Sequence, residues 1–532
     1  MTASAVTSNP VAPGAVPSRW ATPRYAWPTA AGLGLLSSFG FEPVDIPYAM
    51  VIGVAGLIWL ARVLRDARKR TVAVAGMAYG LSFMAPLIWW MNAVSHGAYI
   101  GLVLAETAFY VPIMLALRAA VRLKAWPIWG AGVWVAGEYA RGTFPFTGFP
   151  WGRLAHTSID TPFESYARLV AMPGTSAVLF VVAALLVMIA TSSALAPRVL
   201  ATLAIMGLLG IGLLLPTGIA GADGTRQVAL VQGNVPGVFL TWPLGEIFKL
   251  HAKETERLAG QVESGAVPHP DMVLWPENST DTDPYHDQAV RDRIQQLSAR
   301  LDAPILVGGI FDGPTVDTAY NAGVVWDADG PGARYVKRKP VPFGEYVPFR
   351  AEASLIVNRF ARDIPRDMLA GHEPGALQIG GSLRDDRRGP GLASGQQVGN
   401  TLIGDTICYD IAYDDVTRQA ISGGAQLLVV QTSNAAFTGT AQPEQQWDIS
   451  RLRAIETGRW VAVPSTNGIT GFVDPEGHSV KRAPMHRPAT VSARVELAGG
   501  STPALRVGAP LEYLLLALGL GGWFLGTRKQ EG

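Results

Sequence analysis

Residues 401–410 read TLIGDTICYD, and Cys408 in that run is the only cysteine in a chain of 532 residues. β-Compatible residues lead up to the thiol and a polar, helix-capable segment at 411–421 follows it, the outline of a nucleophile at a strand-to-turn junction. A lone cysteine forms no intramolecular disulfide. The sulfur is therefore either a small apolar core group or a reactive thiol, and the choice rests on what the rest of the chain brings to it.

On either side of the thiol, residues 221–509 alternate short β-rich runs with amphipathic segments. Strands are expected at 227–231 (QVALV), 272–275 (MVLW), 304–307 (PILV), 323–326 (GVVW), 402–407, 426–430 (QLLVV), 460–463 (WVAV) and 490–495 (TVSARV). Helices are expected at 243–262, 284–301 and 443–457, each opened by a proline near its first turn. This alternation predicts a layered α/β domain with helices outside the sheets. The Gly-, Arg- and Asp-rich stretch 381–398 reads as a solvated loop.

The remainder has a membrane composition. Apolar residues make up 49% of the chain and charged residues 16%, with a mean hydropathy of +0.22. Residues 1–27 read as a disordered tail. Apolar runs near 28–42, 46–63, 72–93, 98–120, 125–140, 166–191, 198–220 and 510–527 are read as spans, most long enough for a ~30 Å hydrocarbon core. The chain thus divides into a tail (1–27), a seven-span membrane domain (28–220), an α/β domain (221–509), a final span (510–527) and a short tail (528–532).

Arg62, Arg65, Arg68, Lys69 and Arg70, then Arg118, Arg122 and Lys124, then Arg198, then Arg528 and Lys529 all fall on one side of an eight-span arrangement. The bias of basic residues toward the cytoplasm puts both termini there and the α/β domain outside. Within the bundle, Glu138 is expected to pair with Arg141 at helical spacing. Glu106 leaves two readings open, a buried hydrogen bond or the lining of a substrate cavity. The loop 144–151 (FPFTGFPW) suits the membrane interface, either as an aromatic belt or as part of a lipid entry.

Three strand ends carry chemistry. Glu277 follows the run 272–275, Lys337 leaves a strand in YVKRKPVPFGEYVPF (335–349) with Glu345 eight residues on, and Cys408 ends the third. A thiol needs a base or a positive neighbour to act as a nucleophile. Glu277 can take its proton, while Lys337 and the backbone N–H of Tyr409 can hold an oxyanion. This is acyl-transfer chemistry without histidine. A net charge of +1 gives no basic excess for nucleic acid, and the eight histidines form no metal-ligand pair at short spacing.

In order and context, WPEN (275–278), YVKRKPVPFGEYVP (335–348) and ICYD (407–410) resemble the carbon-nitrogen hydrolase (nitrilase) superfamily. The embedding of such a domain between seven spans and a last one resembles the apolipoprotein N-acyltransferase family, as do VQGN (231–234), GFPW (148–151), Ser433-Asn434 and RLRAIE (451–456). The resemblance implies a polytopic α-helical bundle of about eight spans in the bacterial cytoplasmic (inner) membrane, with an extracytoplasmic α-β-β-α sandwich. It implies a phospholipid acyl donor, a thioester on Cys408, and the α-amine of an N-terminal diacylglyceryl-cysteine of a lipoprotein as acceptor.

Under that resemblance Glu277 is general base and acid, Lys337 the oxyanion holder and Cys408 the nucleophile. Glu345 and Tyr409 support them, and Trp242, Asp410 and Asn434 match positions tied to substrate handling. A monomer without cofactor or metal is expected.

The chain departs from the family pattern at Asp410, where glutamate is usual, at Lys339-Pro340 in place of His-Leu, and at residues 435–437. Two rivals stand beside this reading. One is a membrane-tethered amidase or nitrilase that passes the acyl group to water. The other is a scaffold for a polyprenol-phosphate mannose synthase, which some actinobacterial relatives carry or bind and which is therefore a candidate partner.

Overall fold

The computed structural model describes residues 23–235, 242–351, 364–380 and 401–531. Each expected span falls on a helix: α1 Pro23–Ser38, α2 Ala49–Val63, α3 Lys69–Leu87, α4 His96–Ala120, α5 Trp126–Thr143, α6 Tyr166–Thr191, α7 Leu195–Leu214 and the last helix of the chain, Pro503–Glu531. Four of them (α4, α6, α7 and the last) are long and apolar enough to cross a membrane. The first helix takes in residues 23–27, which the sequence assigned to the tail. The last begins at Pro503 rather than 510, because a proline is well placed in a first helical turn. Residues 1–22 and the loop expected at 381–398 lie outside the described residues.

At one end of the bundle the basic loops meet. Arg118 donates to the carbonyls of Arg65 (2.8 Å) and Ala67 (2.7 Å), Arg122 pairs with Asp66 at 2.8 Å, and Lys529 reaches the Arg122 carbonyl at 3.3 Å. The other end carries the α/β domain.

That domain consists of β1 Ala222–Gln232, α8 Glu246–Glu263, β2 Met272–Leu274, α9 Gln288–Leu301, β3 Ile305–Asp312, β4 Thr318–Asp327, β5 Gly330–Val336, β6 Asp367–Met368, β7 Ala376–Ile379, β8 Thr401–Ile407, α10 Asp414–Ser422, β9 Leu427–Gln431, α11 Gln442–Thr457, β10 Val461–Val463, β11 Gly471–Val473, β12 Ser479–Arg482 and β13 Ala489–Ala498. One sheet runs β13-β1-β2-β3-β4-β5, with β6 added to β4; the other runs β12-β11-β10-β9-β8-β7. Pairing is parallel between β1 and β2 and between β2 and β3 in the first sheet, and between β8 and β9 in the second, so paired strands end together within each sheet.

Apolar side chains such as Leu230, Leu274, Leu306, Ile403, Leu427 and Phe472 fill the space between the sheets. Helices α8 and α9 cover the outer face of the first sheet through Leu258, Ile294 and Leu297. On the outer face of the second sheet lie α10 and α11, whose apolar residues are continuous with the core of the membrane bundle. Helix α11 is covered on both sides, which is why its polar residues are buried and bonded instead of forming a wet face. Gln445 accepts from the indoles of Trp90 (2.9 Å) and Trp151 (2.7 Å) and donates to the Glu42 carbonyl, clamping domain to bundle.

The ion pair expected between Glu138 and Arg141 is replaced by two others. Arg141 pairs with Glu106 across helices at 3.2 Å and donates to the carbonyls of Phe149, Trp151 and Gly152. Glu138 instead accepts from the Trp134 indole and the Leu154 N–H and lies 3.7 Å from Arg153. Tertiary partners thus override the local spacing, and Glu106 is committed to fixing the loop 144–153.

Candidate active site

Glu277, Lys337 and Cys408 stand on the turns that follow β2, β5 and β8. The first two belong to one sheet and the third to the other, so the site forms where the two sheets meet at their carboxyl ends. The sheets are stitched there by Gln431 at the end of β9, whose amide donates to the Trp275 carbonyl at 2.7 Å. Cys408 sits at φ +52°, in the left-handed region that a side chain with a Cβ rarely adopts. It opens a 3-10 turn, Cys408–Ala412, where a continuous helix over 411–421 was expected; α10 begins only at Asp414. A nucleophile held in a strained turn is lifted off its strand with backbone N–H groups around it. The N–H of Tyr409, at the start of that turn, has no preceding turn to bond to.

Glu277 and Lys337 are 4% and 2% exposed. The Lys337 ammonium donates to Glu277 Oε1 at 3.1 Å and to Glu345 Oε1 at 3.0 Å. Asn321 on β4 repeats this bridge with its amide, 2.7 Å to Glu277 and 2.8 Å to Glu345. Glu277 Oε2 accepts the N–H of Ser433 at 3.0 Å, and Glu345 Oε2 accepts that of Val341 at 2.7 Å. Two carboxylates therefore converge on one ammonium and one amide, and every oxygen of the pair has a donor.

The electrostatics follow. Burial alone would push Lys337 down, but Glu277 and Glu345 outweigh it and hold its ammonium well above the ordinary lysine range. Burial pushes the Cys408 thiol up to about 12; Glu277 adds to the rise, while Lys337 and a hydrogen bond with Thr432 oppose it. The resting Cys408 side chain is thus a neutral thiol.

Among the other expected residues, Asp410 is wholly buried and bonded inward. It accepts from the Tyr335 hydroxyl at 2.7 Å and the N–H groups of Lys339 (2.9 Å), Ile407 (3.3 Å) and Arg338 (3.4 Å). Burial raises its carboxyl despite Lys337 and these donors. It lashes the turn after Lys337 to the turn holding Cys408. Tyr409 points toward the bundle: its hydroxyl donates to the Gly148 carbonyl at 3.0 Å and its ring stacks on Phe149 and Trp151.

Asn434, also at positive φ, donates to Gln442 and Gln446 of α11 and accepts from Ser465, so its amide is spent on holding the loop after β9. Trp242 lies half-buried on the turn before α8, next to residues 236–241, which are outside the described set.

Sequence reasoning missed Asn321 and Thr432. The signal for Asn321 was a single amide inside the apolar run of β4, where a buried polar group must have partners. Thr432 left no such mark, because a threonine just past a strand is ordinary.

Comparison with known proteins agrees in both halves. Residues 33–185 match the apolipoprotein N-acyltransferase N-terminal domain and residues 227–500 match the carbon-nitrogen hydrolase domain. An apolipoprotein N-acyltransferase of Mycolicibacterium smegmatis is 33% identical over 92% of this chain and 83% of its own length. One from Azotobacter vinelandii is 28% identical over 96% and 98%. Among solved structures, an amidase from Nesterenkonia sp. AN1 aligns with 56% of this chain and 99% of its own, at a TM-score of 0.37 and 16% identity.

Proposed function

The chain belongs to the apolipoprotein N-acyltransferase family, and from that premise we propose that Cys408 carries the acyl group between two lipid substrates. The chain is an acyltransferase of lipoprotein maturation with a carbon-nitrogen hydrolase domain. The observation that carries the proposal is the single ammonium of Lys337 shared by Glu277 and Glu345 beside a thiol at a left-handed turn.

In the first half-reaction the thiol gives its proton to Glu277 as the sulfur attacks an ester carbonyl of a phospholipid. Because burial holds that thiol protonated, transfer and attack are coupled rather than sequential. The oxyanion is held by Lys337 and the Tyr409 N–H. The carbon–oxygen bond then breaks, Glu277 returns the proton to the glycerol oxygen, and lysophospholipid leaves a thioester on Cys408. In the second half-reaction the α-amine of a diacylglyceryl-cysteine attacks the thioester and gives its proton to Glu277. An amide forms, and the sulfur recovers the proton as thiol.

Glu345 fixes Lys337. Asp410 and Tyr409 fix the nucleophile's turn against the membrane half, Asn434 holds the loop after β9, and Trp242 belongs to substrate handling. The basic loops gathered at one end of the bundle support eight spans, cytoplasmic termini and a site on the outer face of the bacterial inner membrane. The protein is taken as a monomer, and a polyprenol-phosphate mannose synthase remains a candidate partner.

The test is mass spectrometry of the wild type with phospholipid and no acceptor. An acyl chain on Cys408 is expected, released as amide by a diacylglyceryl lipopeptide. No acyl-enzyme under single-turnover conditions would overturn the scheme, and release to water in the presence of lipopeptide would favour a hydrolase.

A further inference from the structure

Asp405 stands where the strand pattern calls for an apolar side chain. Alternation along β8 sends Ile403, Asp405 and Ile407 into the layer between the two sheets, and Ile403 and Ile407 join the apolar core there. Asp405 is 0% exposed. Among the described residues its carboxyl oxygens have no hydrogen-bond partner beyond the pull of the adjacent Thr406 N–H.

Gln431, on the neighbouring strand β9, has a matching deficit. Its Nε2 is spent on the Trp275 carbonyl at 2.7 Å, a bond that only an N–H can make. Its Oε1 is therefore the free end of the amide, and it too is buried without a donor.

The opposite sheet makes room for both groups. Gly308 on β3 and Gly323 on β4 are paired across the ladder. A Cβ on Gly323 would lie 2.2 Å from Asp405 Oδ2 and 2.4 Å from Gln431 Oε1, and one on Gly308 would lie 2.9 Å from Gln431 Nε2. The two oxygens are thus close neighbours in a slot that a pair of glycines leaves open.

Two buried acceptors so placed repel each other unless a proton lies between them. A carboxylic acid supplies it, because its O–H donates where a carboxylate only accepts. Burial favours that form, and Asp410 and Glu277 add to it, raising the Asp405 carboxyl well above the ordinary range. The other titratable groups nearby are Tyr335 on β5, bonded to Asp410, and Lys337, whose ammonium is committed to Glu277 and Glu345.

We propose that Asp405 is a positioning residue, kept as a neutral acid whose O–H donates to Gln431 Oε1, which fixes the Gln431 amide on the Trp275 carbonyl and with it the turn that presents Glu277. The role rests on Glu277 as the base, as read above. An ionised Asp405 would face Gln431 Oε1 with a lone carboxylate and add a negative charge beside Glu277 and Asp410.

The test is single-turnover acylation of the full-length protein in detergent by a diacyl phospholipid, followed by mass spectrometry. Asp405→Leu is expected to slow acylation about tenfold, the equivalent of one buried acceptor left without its donor. Asp405→Asn, whose amide N–H replaces the acid's O–H, is expected to restore most of that rate. Asp405→Leu with Gln431→Leu removes both acceptors and is expected to regain melting temperature while acylation stays slow, because the Trp275 carbonyl has lost its anchor. A double variant that regains rate along with melting temperature would reduce Asp405 to packing and overturn the proposal, as would an Asn variant as slow as Leu.

Infrared difference spectra of wild type against Asp405→Asn give a readout independent of turnover. An un-ionised carboxyl band at neutral pH, lost in the Asn variant, is expected; a carboxylate band in its place overturns the proposal. Glu277→Gln measured in parallel keeps the two readings apart, since an active Glu277→Gln removes the base assignment whatever Asp405 does.

Discussion

The Lys337 ammonium lies 3.1 Å from Glu277 Oε1, and both groups are buried from water. The proposed base and the proposed oxyanion holder thus bond to each other in the resting site, and Glu345 and Asn321 bridge to the same pair.

Removing that cation has two effects that mutagenesis can separate. Lys337→Met loses an oxyanion donor, about 100- to 1000-fold in rate. It also leaves Glu277 and Glu345 facing one amide with no counter-charge, and breaking such a buried pair costs about 3–5 kcal/mol. The single variant is expected to melt earlier as well as to fail in transfer. Lys337→Met with Glu345→Gln removes one of the two orphaned charges and is expected to regain melting temperature while staying inactive. A double variant that regains activity would contradict the assignment of Lys337.

Asn321 is expected to matter nearly as much as the residues visible in the sequence. Its amide reaches Glu277 at 2.7 Å and Glu345 at 2.8 Å, so Asn321→Leu strips one donor from each carboxylate. Acyl-enzyme formation should slow by about ten- to a hundredfold, since a net hydrogen bond to a charged group is worth about 1.5–3 kcal/mol. Asn321→Asp adds a third acid at the same spot and should be worse than Leu. Single-turnover acylation monitored by mass spectrometry distinguishes these outcomes.

What the sequence made legible was whatever is carried by periodicity or by a short run of residues. The strand ends bearing Glu277, Lys337 and Cys408 stood out because an apolar run stops at a charged or polar group. The short strands β7, β11 and β12 escaped because three or four residues, such as the exposed Ser479–Arg482, carry too little alternation to register. The partners of Arg141 escaped for another reason. Glu138 is close along the helix and Glu106 close in space, and only packing of α4 on α5 decides between them. The function expected of Asp410 rested on family position, whereas its bonds to Tyr335 and Lys339 make it a strut between two turns.

The thiol sets one pH dependence. Burial and Glu277 push Cys408 up to about 12 against an ordinary ~8.5. Alkylation of the lipid-free protein by iodoacetamide should therefore be slow at pH 7 and rise with pH through 9 without levelling. A plateau near neutrality would mean a preformed thiolate. The same shift acts on folding. A raised folded pKa gives stability that is complete below the unfolded value of ~8.5 and is lost as pH rises toward 12. Cys408→Ala should flatten that loss in melting curves.

Asp448 sets another. Burial drives its carboxyl up, Arg451 pulls it down from 3.4 Å, and Asp45 and Glu42 push it up again, to about 7. Its stabilising contribution is present below the unfolded value of ~3.9 and disappears as pH climbs through 7. Asp448→Asn should leave the melting temperature unchanged near pH 4 and raise it at pH 8. Equal effects at both values would assign the change to packing rather than to charge.

Gly148 tests whether the membrane loop positions the nucleophile's turn. It sits at φ +72°, and a Cβ there would collide with the backbone of Gly142 and Thr143 at the end of α5. Its carbonyl accepts the hydroxyls of both Tyr409 and Tyr413, each at 3.0 Å, so any shift of this residue is felt one position from Cys408. Gly148→Ala must move the loop, because the obstacle is backbone rather than a flexible side-chain tip. Strain of this kind costs about 1–3 kcal/mol. If the loop serves only as a membrane anchor, the variant loses stability and keeps its turnover per folded molecule. If it positions the turn, acylation slows as well, and Tyr409→Phe with Tyr413→Phe, which remove the two hydroxyls and leave the loop unstrained, should reproduce the slower acylation with a smaller loss of melting temperature. The second pattern is expected, because Tyr409 is tied to this loop by its hydroxyl and by stacking on Phe149 and Trp151.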